Sequence, residues 1–316
     1  MSLSSEEITT LTGLSTEAAD DRYSGIDRMS VAELAATMNQ ADASVPAAVE
    51  RALPSIVPAI EAAAERMERG GRLIYVGAGS PGRIGILDAS ECPPTYGTSP
   101  ETVFAIMAGG TDAFVTPIEG AEDDALAGAA EIDAAGVGPL DTVVGIAASG
   151  RTPFVVAAVS RARELGAAAV GLSCNPGSAL SASAEYPIEV VVGPEVVSGS
   201  TRLKAGTAQK LVLNMFSTIV MVRLGKTYGN LMVDVKATNL KLVERAARIV
   251  CTITGVSREQ GIAALEANDF SVKRAVVQIR LGVDAGETET LMARAGGRLR
   301  RALGEDVDPD VGESTS

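Results

Sequence analysis

The sequence predicts an α/β protein whose parallel sheet is covered by helices on both faces. Five apolar runs have the length and the valine and isoleucine content of buried strands. Stretches with helical spacing separate most of these runs, and this alternation is typical of a parallel sheet in an α/β/α sandwich. The predicted strands are residues 72–76, 102–108, 142–147, 168–173 and 188–192.

Helical segments precede, connect and follow the predicted strands. Two helices are expected before the first strand, at residues 31–38 and 47–69, and the second ends at a Gly-Gly pair. Between the strands, residues 121–135 and 153–165 have helical spacing. After the last strand comes a long apolar helix at residues 207–224. Asn214 interrupts its apolar run, which is too short to cross a bilayer, so we expect a buried helix.

The character of the chain changes from about Cys251. Residues 257–260 form a capping-box pattern that opens a short helix. Two more helices with charged outer faces are predicted at residues 272–280 and 288–303. We therefore expect a small appendage of three helices, followed from Gly304 by an acidic tail that is expected to be disordered.

The composition restricts the partners and the compartment. The 316 residues carry a formal net charge of −13, which argues against nucleic acid and against an anionic membrane surface as partners. Cys92, Cys174 and Cys251 lie far apart without metal-ligand spacing, so we expect buried or incidental thiols in a reducing compartment. The polar N-terminus contains no apolar signal-peptide core, which predicts a cytoplasmic protein.

A glycine-rich turn, residues 77–82, follows the first predicted strand and opens a helix. Its glycine spacing matches the dinucleotide fingerprint, but the acid that should end the second strand is missing, because that strand ends in residues 108–110, Ala-Gly-Gly. A loop for a general anion or polar ligand is therefore favoured over an NAD site. Gly79 and Ser80 are its candidate contacts.

A second loop follows the third predicted strand and precedes a helix that begins at Pro153. Two hydroxyl side chains and the free N–H groups of a positive helix end make it a candidate oxyanion site, although an ordinary helix cap is the alternative. Because two such loops follow neighbouring parallel strands, we expect a phosphorylated small molecule at the carboxyl edge of the sheet. The candidate residues are Ser149, Gly150, Arg151 and Thr152.

Glu91 is a candidate for proton chemistry, because the chain contains no histidine and a carboxylate, lysine, tyrosine or thiol must replace it. It lies nine residues after Gly82, a rise of about 13 Å along a continuous helix. A phosphate bound at Gly82 would be too far from Glu91 for a small sugar phosphate. The second loop is thus the better phosphate site. The first loop then contacts the body of the ligand, or Glu91 serves a site that another subunit completes.

Two further segments could contact a ligand. Acidic residues cluster at positions 119–124, where the dipole of a following helix is an alternative explanation. Residues 193–207 form a polar loop rich in glycine, hydroxyl groups and cations, and for this loop ligand contact is favoured over simple solvation. Its candidate ligand contacts are Glu195, Ser198, Ser200, Thr201 and Lys204.

Six longer segments together resemble the N-acetylmuramic acid 6-phosphate etherases, in the same order and from about Thr16 to Leu303. These matches are far more specific than any glycine pattern. The segments are residues 87–97, 119–123, 144–153, 173–178, 204–214 and 229–234.

The resemblance implies a sugar isomerase (SIS) type, flavodoxin-like α/β/α sandwich that forms a homodimer with a shared active site. It also implies a small C-terminal domain similar to ubiquitin-associated (UBA) modules, and no metal or redox cofactor. The expected domains are an N-terminal helical arm (1–42), the SIS sugar-phosphate domain (43–250), the UBA-like domain (251–305) and the acidic tail (306–316).

The resemblance also implies a reaction and two acids. The family cleaves the lactyl ether of its sugar phosphate, giving N-acetylglucosamine 6-phosphate and D-lactate in cell-wall recycling. Its two acids fall on Glu91, expected to protonate the departing lactate oxygen, and on Glu122, expected to remove the C2 proton. The chain departs from the family at Ser80-Pro81, where Thr-Ser is usual, and at Asp20-Asp21-Arg22, where an asparagine is commoner.

Two other functions fit the same residues. An aldose–ketose isomerase on this fold would use a carboxylate base and a phosphate site, but it would not need a second acid directed at C3. A sugar-phosphate sensor could bind the ligand and use the helical appendage to dock a partner. The presence of both Glu91 and Glu122 argues against the sensor, since binding alone requires no pair of proton-transfer groups.

Overall fold

The computed structural model describes residues 14–116, 118–237 and 239–305. These residues form two compact units. The first, here called the sheet unit, contains the described residues up to 90 together with 100–220. The second, the helical unit, contains residues 91–99 together with the described residues from 221 onwards.

A parallel five-stranded sheet forms the centre of the sheet unit, as predicted. The strand order is β2-β1-β3-β4-β5, so that β1 pairs with both β2 and β3. The fifth strand begins two residues earlier and ends three residues earlier than predicted. It is an edge strand that pairs only with β4, and the last pair joins Glu189 to Ser173, the final residue of β4. Beyond this pair, β4 offers no further residue to β5. The strands are β1 Leu73–Gly77, β2 Val103–Met107, β3 Thr142–Ile146, β4 Ala168–Ser173 and β5 Tyr186–Glu189.

Seven α-helices begin in the sheet unit. The predicted helix at residues 121–135 is instead a 3₁₀ turn, Ala121–Asp123, followed by an α-helix, because the Asp124 side chain accepts a hydrogen bond from the Ala127 N–H and starts a new helix there. The helices are α1 Val31–Asp42, α2 Val45–Glu68, α3 Gly79–Tyr96, α4 Ala125–Ala134, α5 Pro153–Glu164, α6 Ala179–Ser183 and α7 Lys204–Arg223.

Both faces of the sheet are buried. Along β1, alternate side chains point to opposite faces. Ile74 and Val76 belong to an apolar cluster with Phe154 and Val159 of α5, whereas the fully buried Tyr75 points to the other face. This two-sided burial explains why the strands are continuous apolar runs instead of alternating ones.

The glycines of the first loop allow α3 to start directly against β1. A Cβ atom on Gly77 would lie 2.6 Å from the Gly82 nitrogen, and a Cβ on Gly82 would lie 2.9 Å from the Gly77 oxygen. Neither position can hold a larger residue without a shift of the backbone. These two glycines therefore have a packing role, and Gly79 is left as the glycine of the turn that faces open space.

The helical unit has an apolar core of its own. The predicted helix at residues 288–303 is wrong, because Gly296 and Gly297 adopt positive φ angles and divide it in two. An additional helix, α8, was not predicted, and it passes through the expected domain boundary at residues 250 and 251. The elements are β6 Thr227–Tyr228, β7 Leu231–Met232, α8 Leu240–Thr254, α9 Arg258–Glu266, α10 Val272–Leu281, α11 Ala285–Arg294 and α12 Leu299–Ala302.

The expected division into domains and the UBA-like character of the C-terminal helices stay predictions. The predicted acidic tail, residues 306–316, lies outside the described residues. Across the described ranges, no helix is long and apolar enough to span a membrane. Cys92 and Cys174 are buried, Cys251 is partly buried, and none of the three forms a disulfide.

Candidate functional site

The order of the strands places two of the predicted ligand loops at neighbouring strand ends. The chain leaves β1 towards β2 on one side and later returns to β3 on the other side. In open α/β sheets, ligands bind in the crevice at such a switch point, outside the carboxyl ends of the strands. The first glycine loop follows β1 and the second loop follows β3, so both lie at this edge of the sheet.

A cavity of about 220 Å³ lies where β1 and β2 end. It brings together the first predicted loop and the predicted acidic segment, since Gly79, Glu119 and Glu122 all line it. Glu122 lies on the 3₁₀ turn that follows Gly120, and its side chain is exposed. Within the described residues, its carboxylate accepts no hydrogen bond, so it is available to a ligand in the cavity.

The second loop is shaped by Gly150. This residue has a φ of +67°, and a Cβ atom there would lie 2.3 Å from both Cβ and Oγ of Ser178. The turn lets the Arg151 N–H donate to the Ser149 hydroxyl at 3.2 Å. A larger residue in place of Gly150 would push the loop away from Ser178.

Thr152 precedes α5 without using its side chain as a cap. Its carbonyl accepts hydrogen bonds from the Val155 and Val156 N–H groups, but its hydroxyl bonds to none of the described residues. The Arg151 guanidinium likewise has no acid partner in the described part of the chain. An ordinary helix cap would occupy the hydroxyl, so the geometry leaves Thr152 and Arg151 free for an anion.

Asn175 supports the second loop and was not predicted as a site residue. Its buried amide donates to the Ala148 carbonyl and to the Thr16 hydroxyl, both at 3.0 Å, and accepts from the Ser15 N–H at 2.8 Å. The start of the described chain is thereby tied to the base of the loop. The available sequence signal was a polar asparagine two residues after the end of β4, within the segment 173–178 of the resemblance.

The predicted ligand contacts of residues 193–207 are largely occupied within the protein. The Glu195 carboxylate accepts hydrogen bonds from the Lys204 and Ala205 N–H groups, both at 2.9 Å, and so caps α7. The Lys204 ammonium donates to the Val192 carbonyl at 2.8 Å. Burial lowers the pKa of Lys204, while the charge of Glu195 opposes this shift. Lys204 lines a different cavity, of about 660 Å³.

The three hydroxyl residues of the same segment lie in a turn before α7. The Ser198 hydroxyl donates to the Glu17 carbonyl at 3.1 Å. Ser200 and Thr201 take part in the turn through their backbone groups, and the Thr201 carbonyl accepts from the Gly206 N–H at 2.9 Å. Their contact with a ligand, like that of Glu195 and Lys204, stays a prediction.

Glu91 lies on α3, which runs without a break from Gly79 to Tyr96 and includes the double proline. Because this helix is continuous, Glu91 lies a rise of about 13 Å beyond Gly82. Glu91 is exposed and belongs to the helical unit. Ser80 lies in the first turn of α3 and is partly buried.

Two charged residues of α3 were missed by the sequence reasoning. Arg83 lines the cavity that contains Glu122. Asp88 is buried, and its carboxylate accepts hydrogen bonds from the Tyr75 hydroxyl and the Asn214 amide. The signals were an arginine directly after the glycine loop, and an acid among the apolar residues of the helix that the loop opens.

Two family models match the chain, and both describe SIS domains. The model of the N-terminal SIS domain of glucokinase regulatory protein matches residues 55–163, and the general SIS domain model matches residues 126–219. These matches cover the sheet region and agree with its α/β fold.

Curated relatives match almost the whole chain. The N-acetylmuramic acid 6-phosphate etherase of Streptomyces coelicolor is 56% identical over 92% of this chain and 93% of its own length. The protein of the same name from Rubrobacter xylanophilus is 55% identical over 94% of this chain and 98% of its own. Among solved structures, a phosphoheptose isomerase from Francisella tularensis is 20% identical, with a TM-score of 0.45, over 61% of this chain and 98% of its own.

Proposed function

Because the chain belongs to the N-acetylmuramic acid 6-phosphate etherase family, we propose that it cleaves the lactyl ether of this sugar phosphate with Glu91 and Glu122 as its two proton-transfer groups. The observation that carries the etherase activity is identity above one half along more than nine tenths of both chains. The cavity that joins Glu122 to the first glycine loop supports the assignment of Glu122, and the assignment of Glu91 rests on the family segment that contains it.

The reaction begins with removal of a proton. In the open-chain sugar, the C2 proton is acidified by the C1 aldehyde, and the lactyl ether on C3 lies β to that aldehyde. Glu122 takes the C2 proton, and the electron pair forms the C2–C3 double bond as the C3–oxygen bond breaks. Glu122 is suited to this step, because its exposed carboxylate lines the cavity and is not used by any other described group.

The departing lactate oxygen requires a proton, since an alkoxide is a poor leaving group. We assign this proton to Glu91, the acid that corresponds to the first acid of the family. Water then adds across the double bond. Glu91 takes a proton from the water, the water oxygen bonds to C3, and Glu122 returns its proton to C2. The products are N-acetylglucosamine 6-phosphate and D-lactate, and both carboxyl groups end in their starting states.

The second loop binds the phosphate in this proposal. Ser149, Arg151 and Thr152 supply two hydroxyl groups and a cation that is not paired within the described residues. The N-terminus of α5 adds a partial positive charge, which favours a phosphate dianion. Gly79 and Ser80 of the first loop contact the sugar body.

The protein acts as a homodimer in the cytoplasm in this proposal. Val57 on α2, Leu87 on α3 and Ile219 on α7 are 41–54% exposed, and a second copy could cover these apolar side chains. Three cysteines without disulfides suit a reducing compartment. Sedimentation equilibrium would measure the assembly, and a monomer at micromolar concentration would contradict the dimer.

A D-lactate assay with N-acetylmuramic acid 6-phosphate tests the activity, and deuterium incorporation at C2 in heavy water separates the two carboxylates. Glu122→Gln should lower both C2 exchange and lactate release by about 100-fold or more. Glu119→Gln is the matched control, because it removes the same charge from the same cavity and should change both rates less than about threefold. An equal loss in the two variants would mean that the charge of the cavity matters, and not Glu122 itself.

Glu91→Gln should abolish lactate release while C2 exchange continues, since the base remains and only the proton for the leaving oxygen is lost. Lactate release by Glu91→Gln at a near wild-type rate would contradict the acid assignment. Tight binding of the substrate without any lactate release by the unaltered protein would favour the sensor. Conversion to a ketose would favour the isomerase.

A further inference from the structure

Arg83 is the one cation among the described residues that line the 220 Å³ cavity. The other charged lining residues are Glu119 and Glu122, so the cavity without Arg83 would repel any anionic ligand. Its volume is below the roughly 300 Å³ at which pockets for whole small-molecule ligands begin. The cavity is therefore suited to one part of a sugar phosphate.

The Arg83 guanidinium is held in place by neutral groups. Its Nε donates to the Phe114 carbonyl at 2.8 Å, and its Nη2 donates to the Ala113 carbonyl at 2.9 Å. No carboxylate of the described residues forms an ion pair with it. A guanidinium has five N–H donors, so donors remain for a ligand once these two bonds are made. The position of Arg83 is fixed, but its charge is not paired.

The proposed substrate carries two anionic groups, the phosphate on C6 and the carboxylate of the lactyl group on the C3 oxygen. The second loop accounts for the phosphate only. C3 is bonded to C2, from which Glu122 removes the proton, so a substrate positioned for Glu122 brings its lactyl group to the same cavity. Arginine binds a carboxylate through two parallel hydrogen bonds, which fixes the orientation of the bound group.

We propose that Arg83 binds the lactyl carboxylate and makes this cavity the subsite for the leaving group. The inference rests on the proposed etherase function, with Glu91 supplied by the second copy of the proposed homodimer, because Glu91 of the same chain lies eight residues, a rise of about 12 Å, beyond Arg83 on α3. Bound in this way, the lactyl carboxylate is neutralised beside Glu119 and Glu122. The product sugar phosphate lacks a carboxylate, so the same contact makes the protein bind its substrate more tightly than its product.

The test compares two substrates, N-acetylmuramic acid 6-phosphate and the same compound with its lactyl carboxylate converted to a carboxamide. Both retain the ether, the aldehyde and the phosphate. The unaltered protein should cleave the acid with a kcat/KM about 10- to 100-fold higher than that for the amide, the range expected for hydrogen bonds to a charged group. This comparison requires no variant.

Arg83→Met should lower kcat/KM for the acid by about the same 10- to 100-fold, mainly through KM, and should change the value for the amide less than about threefold. Arg83→Lys keeps the charge and should recover part of the preference for the acid. Arg151→Met provides the contrast, because both substrates carry the phosphate and both should lose activity equally.

The outcomes separate the subsite from the function. If Arg83→Met lowers kcat/KM equally for the acid and the amide, Arg83 only stabilises the turn at Ala113 and Phe114, and the subsite is overturned. Equal cleavage of the acid and the amide by the unaltered protein overturns it as well, while the etherase function stands. If the unaltered protein releases no lactate, the proposed function fails and the subsite fails with it.

Discussion

The hydroxyl of Tyr75 in β1 donates a 2.7 Å hydrogen bond to the carboxylate of Asp88 in α3, and both residues are buried. The same carboxylate accepts from Asn214 at 2.5 Å and from Ser217 at 3.1 Å, both on α7. One side chain thus joins a strand and two helices in the sheet unit. Burial raises the pKa of Asp88, although its three hydrogen bonds oppose the shift.

Asp88→Asn should destabilise the protein most in acid. Because the pKa of Asp88 is raised in the folded state, its stabilising contribution is complete below the unfolded value near 3.9 and is lost as the pH rises through the folded value. We expect a loss of about 1–3 kcal/mol in the free energy of unfolding near pH 4. Urea denaturation of both proteins between pH 4 and 8 measures the difference, which should decrease with pH. A constant difference would contradict the prediction.

Asp141→Asn should show the opposite pH dependence. Burial disfavours the charged carboxylate, but hydrogen bonds from Arg72 and Gly138 outweigh it, so the pKa of Asp141 lies below its usual range. The stabilisation is present above the unfolded pKa and is lost as the pH falls through the folded value. We expect Asp141→Asn to lower the free energy of unfolding by about 3 kcal/mol at pH 7 and by less in acid.

The control for Asp141 is Asp133→Asn. Asp133 forms an ion pair with Arg161 at 2.8 Å, but its side chain is 50% exposed, and surface pairs contribute less than about 1 kcal/mol. The same urea titrations measure both variants. Equal costs for Asp133→Asn and Asp141→Asn at pH 7 would show that burial is not what gives the Arg72 pair its strength.

Gly150→Ala should impair both stability and substrate binding. Alanine at this position would have to adopt a positive φ, and its Cβ would lie only 2.3 Å from the Ser178 side chain. The loop that we assign to the phosphate must therefore move. Gly136→Ala is the matched control, since Gly136 also has a positive φ but open space around it. This substitution should lower the free energy of unfolding by only about 1–2 kcal/mol. Thermal unfolding and KM measure the two effects. A normal KM for Gly150→Ala would argue against the phosphate assignment.

Cys251 should be the only cysteine that reacts readily in the native protein. Burial, together with the nearby charge of Glu195, raises the pKa of Cys174 to about 12, and the thiolate is the reactive form. Cys92 is also buried, whereas Cys251 is partly exposed. A thiol titration should give about one fast equivalent, which Cys251→Ser removes, and three after denaturation. Fast labelling of Cys174 would contradict its burial.

Sequence patterns predicted the sheet because a strand buried on both faces must be apolar throughout, as Leu73–Gly77 is. They failed where neighbours decide the end of an element. The fifth strand ends at Glu189 because β4 offers no further partner, and the last long predicted helix divides at Gly296 because that residue adopts a positive φ. Helix α8 was missed altogether, although its apolar face packs in the helical unit.

The sequence by itself determined the fold class, because apolar runs and helical spacing depend on residue types close together in the chain. It also predicted two candidate ligand loops, and the resemblance of longer segments to a known family implied the pair of candidate acids. Only the tertiary structure decided how those residues are used. Glu195 caps a helix, and Lys204 donates to a backbone carbonyl. Arg83 lines the cavity with Glu122 and forms no ion pair among the described residues. Asp88 is buried and accepts a hydrogen bond from Tyr75. Whether a charged side chain is free or occupied depends on contacts between residues that are distant in the chain, and local spacing does not contain that information.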